Sequence, residues 1–153
     1  MTIYSSHIIA GGSMDRPYHY LGISKDYWQH DIDNNNFRKT SRRGYHHLRT
    51  MMSDTILLMR PESFKDWRGL FYWAIGDNAC YYPAMEMSCR KVLYLNEIFY
   101  IYNYNTGQTE DAASMSKRQD YNRVFQHINN QKPYRCLAQE FEEISQAPNP
   151  KSP

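Results

Sequence analysis

Between residues 45 and 59 the apolar side chains Leu48, Met51, Met52, Ile56 and Met59 recur at helical spacing, which predicts a helix lying on a core. Arg60-Pro61 stops it, because a proline biases the preceding residue away from helical backbone. Residues 2–10 (TIYSSHIIA) predict a strand that Gly11-Gly12-Ser13 ends in a turn. Residues 64–73 are turn-like around Arg68-Gly69 and then aromatic, after which Asp77 opens a second helix reaching Ser88. Pro83 lies inside that helix and predicts a kink, since it removes a backbone donor and crowds the preceding turn. Residues 92–95 and 98–102 predict two short strands separated by Asn96-Glu97. A third helix carries Tyr121, Val124, Phe125 and Ile128 on one face, with Ser114 or Ser116 as its cap. Leu137, Phe141 and Ile144 predict a short last helix, and the Pro-rich residues 147–153 a frayed tail.

The polar stretch 14–43 shows no regular period, yet Tyr18, Tyr20, Tyr27 and Trp28 are set among its Asp and Asn residues. A loop of that length inside a compact unit is functional or disordered, and the aromatics argue against disorder. With 153 residues, 41% of them hydrophobic, the chain is long enough for one buried core and too short for two. The expected fold class is α/β, a short mixed sheet flanked by three or four helices.

Charge narrows the function further. Eighteen Lys and Arg against sixteen Asp and Glu leave +2, scattered along the chain, which does not suit a nucleic-acid partner. Arg42-Arg43 with Lys39 makes the one local basic patch and reads as a solvated loop. Cys80, Cys89 and Cys136 match neither a zinc knuckle nor a Cys-x-x-Cys pair, so reduced thiols in a cytoplasmic protein are expected, at most at the membrane periphery. No apolar run reaches bilayer length, so no transmembrane segment is expected.

Fourteen Tyr and three Trp are many for so short a chain. Rings with polar rims stack on sugar faces and hydrogen-bond at their edges, which makes Tyr72 and Trp73 candidates for substrate binding. The alternative for any single Tyr is a half-buried strand position.

Several segments together carry a resemblance. His47-Leu48-Arg49-Thr50, Gly69-Leu70-Phe71-Tyr72, Asp77, Tyr82-Pro83-Ala84-Met85-Glu86-Met87, Leu95-Asn96-Glu97 and Tyr100-Ile101-Tyr102-Asn103 follow one another at spacings similar to the second half of family-two glycosyltransferases of the GT-A fold. Asn34 to Arg38 (NNNFR) resembles the stretch that precedes them. The resemblance covers the chain to about Leu137 and implies a partial GT-A (Rossmann-like) fold. It makes residues 1–146 an acceptor-side domain without the nucleotide-binding half and its metal-holding Asp-x-Asp, which would lie before Met1. It further implies a sugar nucleotide and a glycan acceptor as partners, a divalent metal (Mn or Mg) in the complete enzyme but not on this chain alone, and a separate N-terminal half.

An inverting transfer needs a carboxylate to take the proton of the attacking hydroxyl. The resemblance gives that role to Asp77, which stands at a helix start after a Gly; the alternative is helix capping. Glu86 matches the family's Glu-Met step and holds either an acceptor hydroxyl or an internal arginine. His47 and Arg49 approach the phosphates in such enzymes; otherwise Arg49 pairs with Asp54 or another acid. Asp31-Ile32-Asp33 is a second Asp-x-Asp, but residues 25–30 are no aliphatic strand, so no metal site is assigned here. The loop 104–113 corresponds to a closing segment that carries Asp-His in relatives, whereas here Ala112 follows Asp111. No phosphate loop, serine elbow or cysteine-based site occurs. The other reading is a non-catalytic carbohydrate- or protein-binding remnant.

Overall fold

The computed structural model describes residues 1–13, 16–22, 26–39, 46–103 and 115–138. Its strands are β1 (Thr2–Ser13), β2 (Arg16–Gly22), β3 (His46–Met51) and β4 (Val92–Asn103), and its helices α1 (Gln29–Asp33), α2 (Ser53–Leu57), α3 (Gly76–Ser88) and α4 (Met115–Asn130). A 3-10 turn covers Pro61–Phe64.

The four strands form one mixed sheet around β1. β4 runs parallel to it along one edge, from Thr2↔Val92 to Ala10↔Asn103. On the other edge β3 pairs antiparallel with its first residues, from Thr2↔Met51 to Ser5↔His46, and β2 with its last, from His7↔Gly22 to Ser13↔Arg16. The chain is therefore mixed α/β, with four helices among the described residues.

α3 organises the core. Its first turn is at the surface, with Asp77 exposed, and from Tyr82 to Ser88 every residue is buried. Ala79, Tyr82 and Met85 pack with Tyr4, Tyr27, Phe37, Ala74, Ile75, Val124 and Ile128, while Ala84 and Met87 meet Met59 on the other side. Much of the tyrosine surplus is spent here: Tyr4, Tyr27 and Tyr82 are core residues, and the Tyr27 ring stands edge-on to both Tyr4 (6.1 Å) and Phe37 (5.1 Å).

Several expectations need correction. The helix over 45–59 is instead β3 followed by the single-turn helix α2, and Leu48, Met52 and Ile56 are exposed at 44–53%. Their helical spacing misleads because the backbone of 46–51 is committed to pairing with residues 2–5, a long-range contact to which periodicity is blind. The region expected to be irregular contains β2 and α1. β1 continues through Gly11–Ser13 because β2 pairs with it there. The helix expected from Asp77 to Ser88 is present as α3, with Pro83 inside it. β4 is one strand whose register with β1 shifts twice, leaving Asn96-Glu97 and then Phe99 unmatched, as in bulges. Ser116 lies within α4 rather than before it.

The cysteines also depart from expectation. Cys89, just past α3, and Cys136, in the chain returning after α4, form a disulfide with Cα atoms 5.2 Å apart, and Cys80 stays free. Cysteine content thus no longer argues for a reducing compartment. No described helix is long and apolar enough to cross a membrane. Ser114, the Arg42-Arg43 patch, the loop 104–113 with Gly107, Asp111 and Ala112, the last helix beyond Ala138 and the tail lie outside the described residues.

Candidate functional site

The start of α3 is set by an unusual backbone. Ile75 is buried and left-handed at φ 58°, where a β-branched residue is strained, and its carbonyl accepts the amides of Asn78 (3.0 Å) and Ala79 (3.4 Å). This reversal brings Asp77 into the first helical turn at the surface.

Asp77 Oδ2 accepts a hydrogen bond from Arg49 Nη1 at 2.8 Å, and Oδ1 accepts from the Asn78 amide at 2.9 Å. The Arg49 side chain is 6% exposed and the Asp77 side chain 43%. The guanidinium also lies 4.8 Å from the centre of the Tyr81 ring, whose hydroxyl donates to the Arg49 carbonyl at 3.3 Å. Tyr81 stands four residues after Asp77, the spacing that puts both on one face of α3. The result is a fixed carboxylate, with its pinning arginine sunk behind it and its outer side open to solvent. Arg49 thus pairs with Asp77 rather than Asp54. The Cys80 thiol, free of the disulfide and half-buried, is pushed up by burial and then by the Asp77 charge, against the pull of Arg49.

The other candidates separate. Glu86 is fully buried, and its two oxygens accept Nε and Nη2 of Arg38 at 2.5 and 2.9 Å. The Tyr134 amide adds a third bond at 3.0 Å, and Arg38 Nη1 donates to the Ile128 carbonyl at 2.7 Å. Burial pushes the Glu86 carboxyl upward, against the pull of Arg38 and the Tyr134 amide. Of its two readings, these contacts fit the internal-arginine one: the carboxylate joins α3 to the chain after α1 and to residues beyond α4.

Tyr72 is half-buried, its hydroxyl held by Gln131 Nε2 at 2.9 Å, and burial followed by the Asp66 charge raises its phenol to about 12. Trp73 is 44% exposed, four residues before Asp77. His47 lies in β3, and its side chain falls outside the described residues.

Asp31 and Asp33 share no metal geometry. Asp31 is buried in α1 and accepts Asn36 Nδ2 at 3.1 Å, whereas Asp33 accepts Gln29 Nε2 and Arg90 Nε at 2.9 Å each. Among the described residues no group of three His, Cys, Asp or Glu could hold a metal ion.

A cavity of about 1060 Å³ opens at the far end of α3, lined by Ile32, Met52, Leu58, Met87, Leu137 and the Cys89–Cys136 disulfide. At 1.5 Å per residue that end of the helix is roughly 17 Å from Asp77. Of the substrate-binding and catalytic candidates Asp77, Glu86, Trp73, Tyr72, His47 and Arg49, the buried Glu86 borders it, and the Asp33–Arg90 ion pair lies on its rim. Its wall is mainly apolar and also carries Asp54 and Lys91 beside Glu86 and the Asp33–Arg90 pair.

No protein-family model matches the chain, and no curated protein or solved structure matches it. Sequence reasoning overlooked Tyr81, although its spacing from Asp77 was a usable signal. The Arg38 partnership was half visible, through the NNNFR stretch and the expectation of an internal arginine at Glu86.

Proposed function

We propose that this chain is the acceptor-side part of an inverting glycosyltransferase of the GT-A, family-two type, with Asp77 as the base. The observation that carries the reading is the state of that carboxylate: it sits at the mouth of a helix, held through one oxygen by Arg49, with 43% of the side chain in solvent. A base must reach a substrate hydroxyl and keep a fixed direction, and this arrangement supplies both. The strained Ile75 two residues earlier supports it, since backbone outliers gather where function over-determines geometry. The ordered segments from His47 to Asn103 support the family assignment.

In this reading the acceptor hydroxyl gives its proton to Asp77 as its oxygen bonds to the anomeric carbon. The bond from that carbon to the nucleoside diphosphate breaks on the opposite face, inverting the centre. Arg49 directs the carboxylate, and Trp73, exposed beside the same turn, offers a ring face to the acceptor. The donor sugar nucleotide and a divalent metal belong to a separate nucleotide-binding half. The described residues hold no cluster suited to that metal.

The test joins the chain to a donor-binding half and measures release of nucleoside diphosphate. Asp77→Asn should lower turnover by about 10²–10⁴-fold, the usual worth of a positioned base. Turnover that survives the substitution removes the catalytic assignment and leaves a binding module whose Asp77–Arg49 pair is only a structural pin. The chain alone, titrated with sugar nucleotide and Mn²⁺ in a calorimeter, should show little or no heat.

A further inference from the structure

The turn at residues 65–71 is built to hold still. The buried Asp66 carboxylate accepts the amides of Arg68 (2.8 Å) and Leu70 (3.1 Å), the Asp66 amide donates to the Leu70 carbonyl at 2.7 Å, and Gly69 supplies φ 79° where a side chain would be strained. Lys65 and Phe71 pair across its base. On this frame stands Trp67, and both the Arg68 and the Arg123 guanidinium carbons lie within 5.3 Å of its ring centre, Arg123 at 3.9 Å. His127, one turn after Arg123 on α4, packs its ring against Trp67 and Tyr72 at 5.9 and 6.1 Å.

The two arginines differ in what their edges do. Arg68 spends Nε and Nη2 on Asp66 at 2.8 and 2.6 Å, so its charge is matched. Arg123 is exposed and has no carboxylate partner among the described residues. A guanidinium stacked by its face keeps its edge N–H donors pointing outward, and stacking has already restricted its rotamers. Phe71, on the same turn, is 70% exposed, with Lys65 Nζ 5.8 Å from its ring centre. A guanidinium stacked on this turn through Trp67, and the exposed Phe71 ring carried by the same turn, suit a molecule with both an apolar ring face and an oxyanion.

We infer that the Trp67–Arg123 cluster is an oxyanion subsite, and that the acceptor is a sugar bearing a phosphoryl or carboxylate group. The subsite stands on this geometry; its assignment to the acceptor rests on the transferase reading. Arg123 would take the oxyanion on its free edge, and Phe71 the face of the ring.

The experiment titrates the chain with glucose 1-phosphate, glucuronate and glucose at physiological salt, read by calorimetry. Charged sugars should bind about tenfold or more tighter than glucose, the worth of one charge-assisted hydrogen bond. Binding of glucose 1-phosphate alone identifies a phosphoryl group, and of glucuronate alone a carboxylate; either supports the subsite. Arg123→Gln should erase the preference, and Arg123→Lys, which keeps the charge but loses the fork, should retain part of it. An equal response to all three sugars, or an unchanged preference in Arg123→Gln of unaltered circular dichroism, overturns the inference. The readout is the ratio of charged to neutral sugar binding, to which a contact between Asp77 and a hydroxyl common to all three sugars does not contribute. Anion selectivity without Asp77-dependent turnover would therefore remove the transferase reading alone, and the reverse outcome would remove the subsite alone.

Discussion

Replacing Glu86 by alanine strips the Arg38 guanidinium of its counter-charge while leaving it buried. In the parent the pair is sealed from solvent, with side chains 2% and 0% exposed and the Tyr134 amide adding a third hydrogen bond to the carboxylate. The variant leaves Arg38 only the Ile128 carbonyl and the face of the Tyr82 ring, 5.5 Å from the guanidinium carbon. Breaking a buried ion pair from one side costs about 3–5 kcal/mol, because the surviving charge has lost water and partner together. Against a total stability of roughly 5–15 kcal/mol for an ordinary domain, that is a large share. It should lower the melting temperature by roughly 6–20 °C. Removing both members, as Arg38→Met with Glu86→Leu, takes away the stranded charge and should recover most of the loss. Urea unfolding followed by circular dichroism reads the midpoint of each variant. If Glu86→Ala stays within about 0.5 kcal/mol of the parent, the size of an ordinary surface change, the pair does not hold the core together. A double variant no more stable than the single one would refute the electrostatic explanation. A folded Glu86→Ala protein that lost only sugar binding would instead return Glu86 to the substrate.

Three further outcomes follow from particular contacts. Two of the three cysteines should resist alkylation until reductant is added, and Cys136→Ser should destabilise the chain by about 4 kcal/mol in the chain-entropy model, the bond closing a span of 47 residues; full alkylation without reductant would remove the bond. Burial would raise the Asp66 carboxyl, but its hydrogen bonds from Arg68 and the Leu70 amide outweigh that and hold it below the ordinary value of 3.8. Its contribution is therefore present above that value and disappears as pH falls through the lower folded one, so Asp66→Asn should flatten the acid limb of a stability–pH curve. Leu93, Ile98, Phe99 and Ile101 are exposed at 47–66% on β4, whose one partner strand among the described residues is β1, so Ile101→Lys should reduce light scattering at high concentration without moving the unfolding midpoint.

Local signals decided a good part of this molecule. The strand from residue 2 and the helix from Gly76 to Ser88 were placed by local signals, and α4 buries Val124 and Ile128 on the face that its own period defines. Asp77 was legible as a carboxylate opening a helix. Residues 45–59 were misread because β3 owes its form to residues more than forty positions away, and a long-range pairing leaves no trace in local spacing. The same cause hid the Cys89–Cys136 bond, whereas β2 pairs with its neighbour β1 from Ser13↔Arg16 onward and was missed because its own residues show no regular period.

Tertiary structure alone decided which charges face water. Asp77 and Glu86 are nine residues apart on one helix, and nothing in their composition says that the first meets solvent while the second is sealed in. That difference arises because α3 enters the core obliquely, surface at one end and wrapped on all sides at the other. Arg49 and Arg38, distant in sequence from both, are brought to them by β3 and by the chain after α1. Which acid becomes a candidate base and which a structural partner is thus a matter of desolvation, a property of the packed whole rather than of any segment.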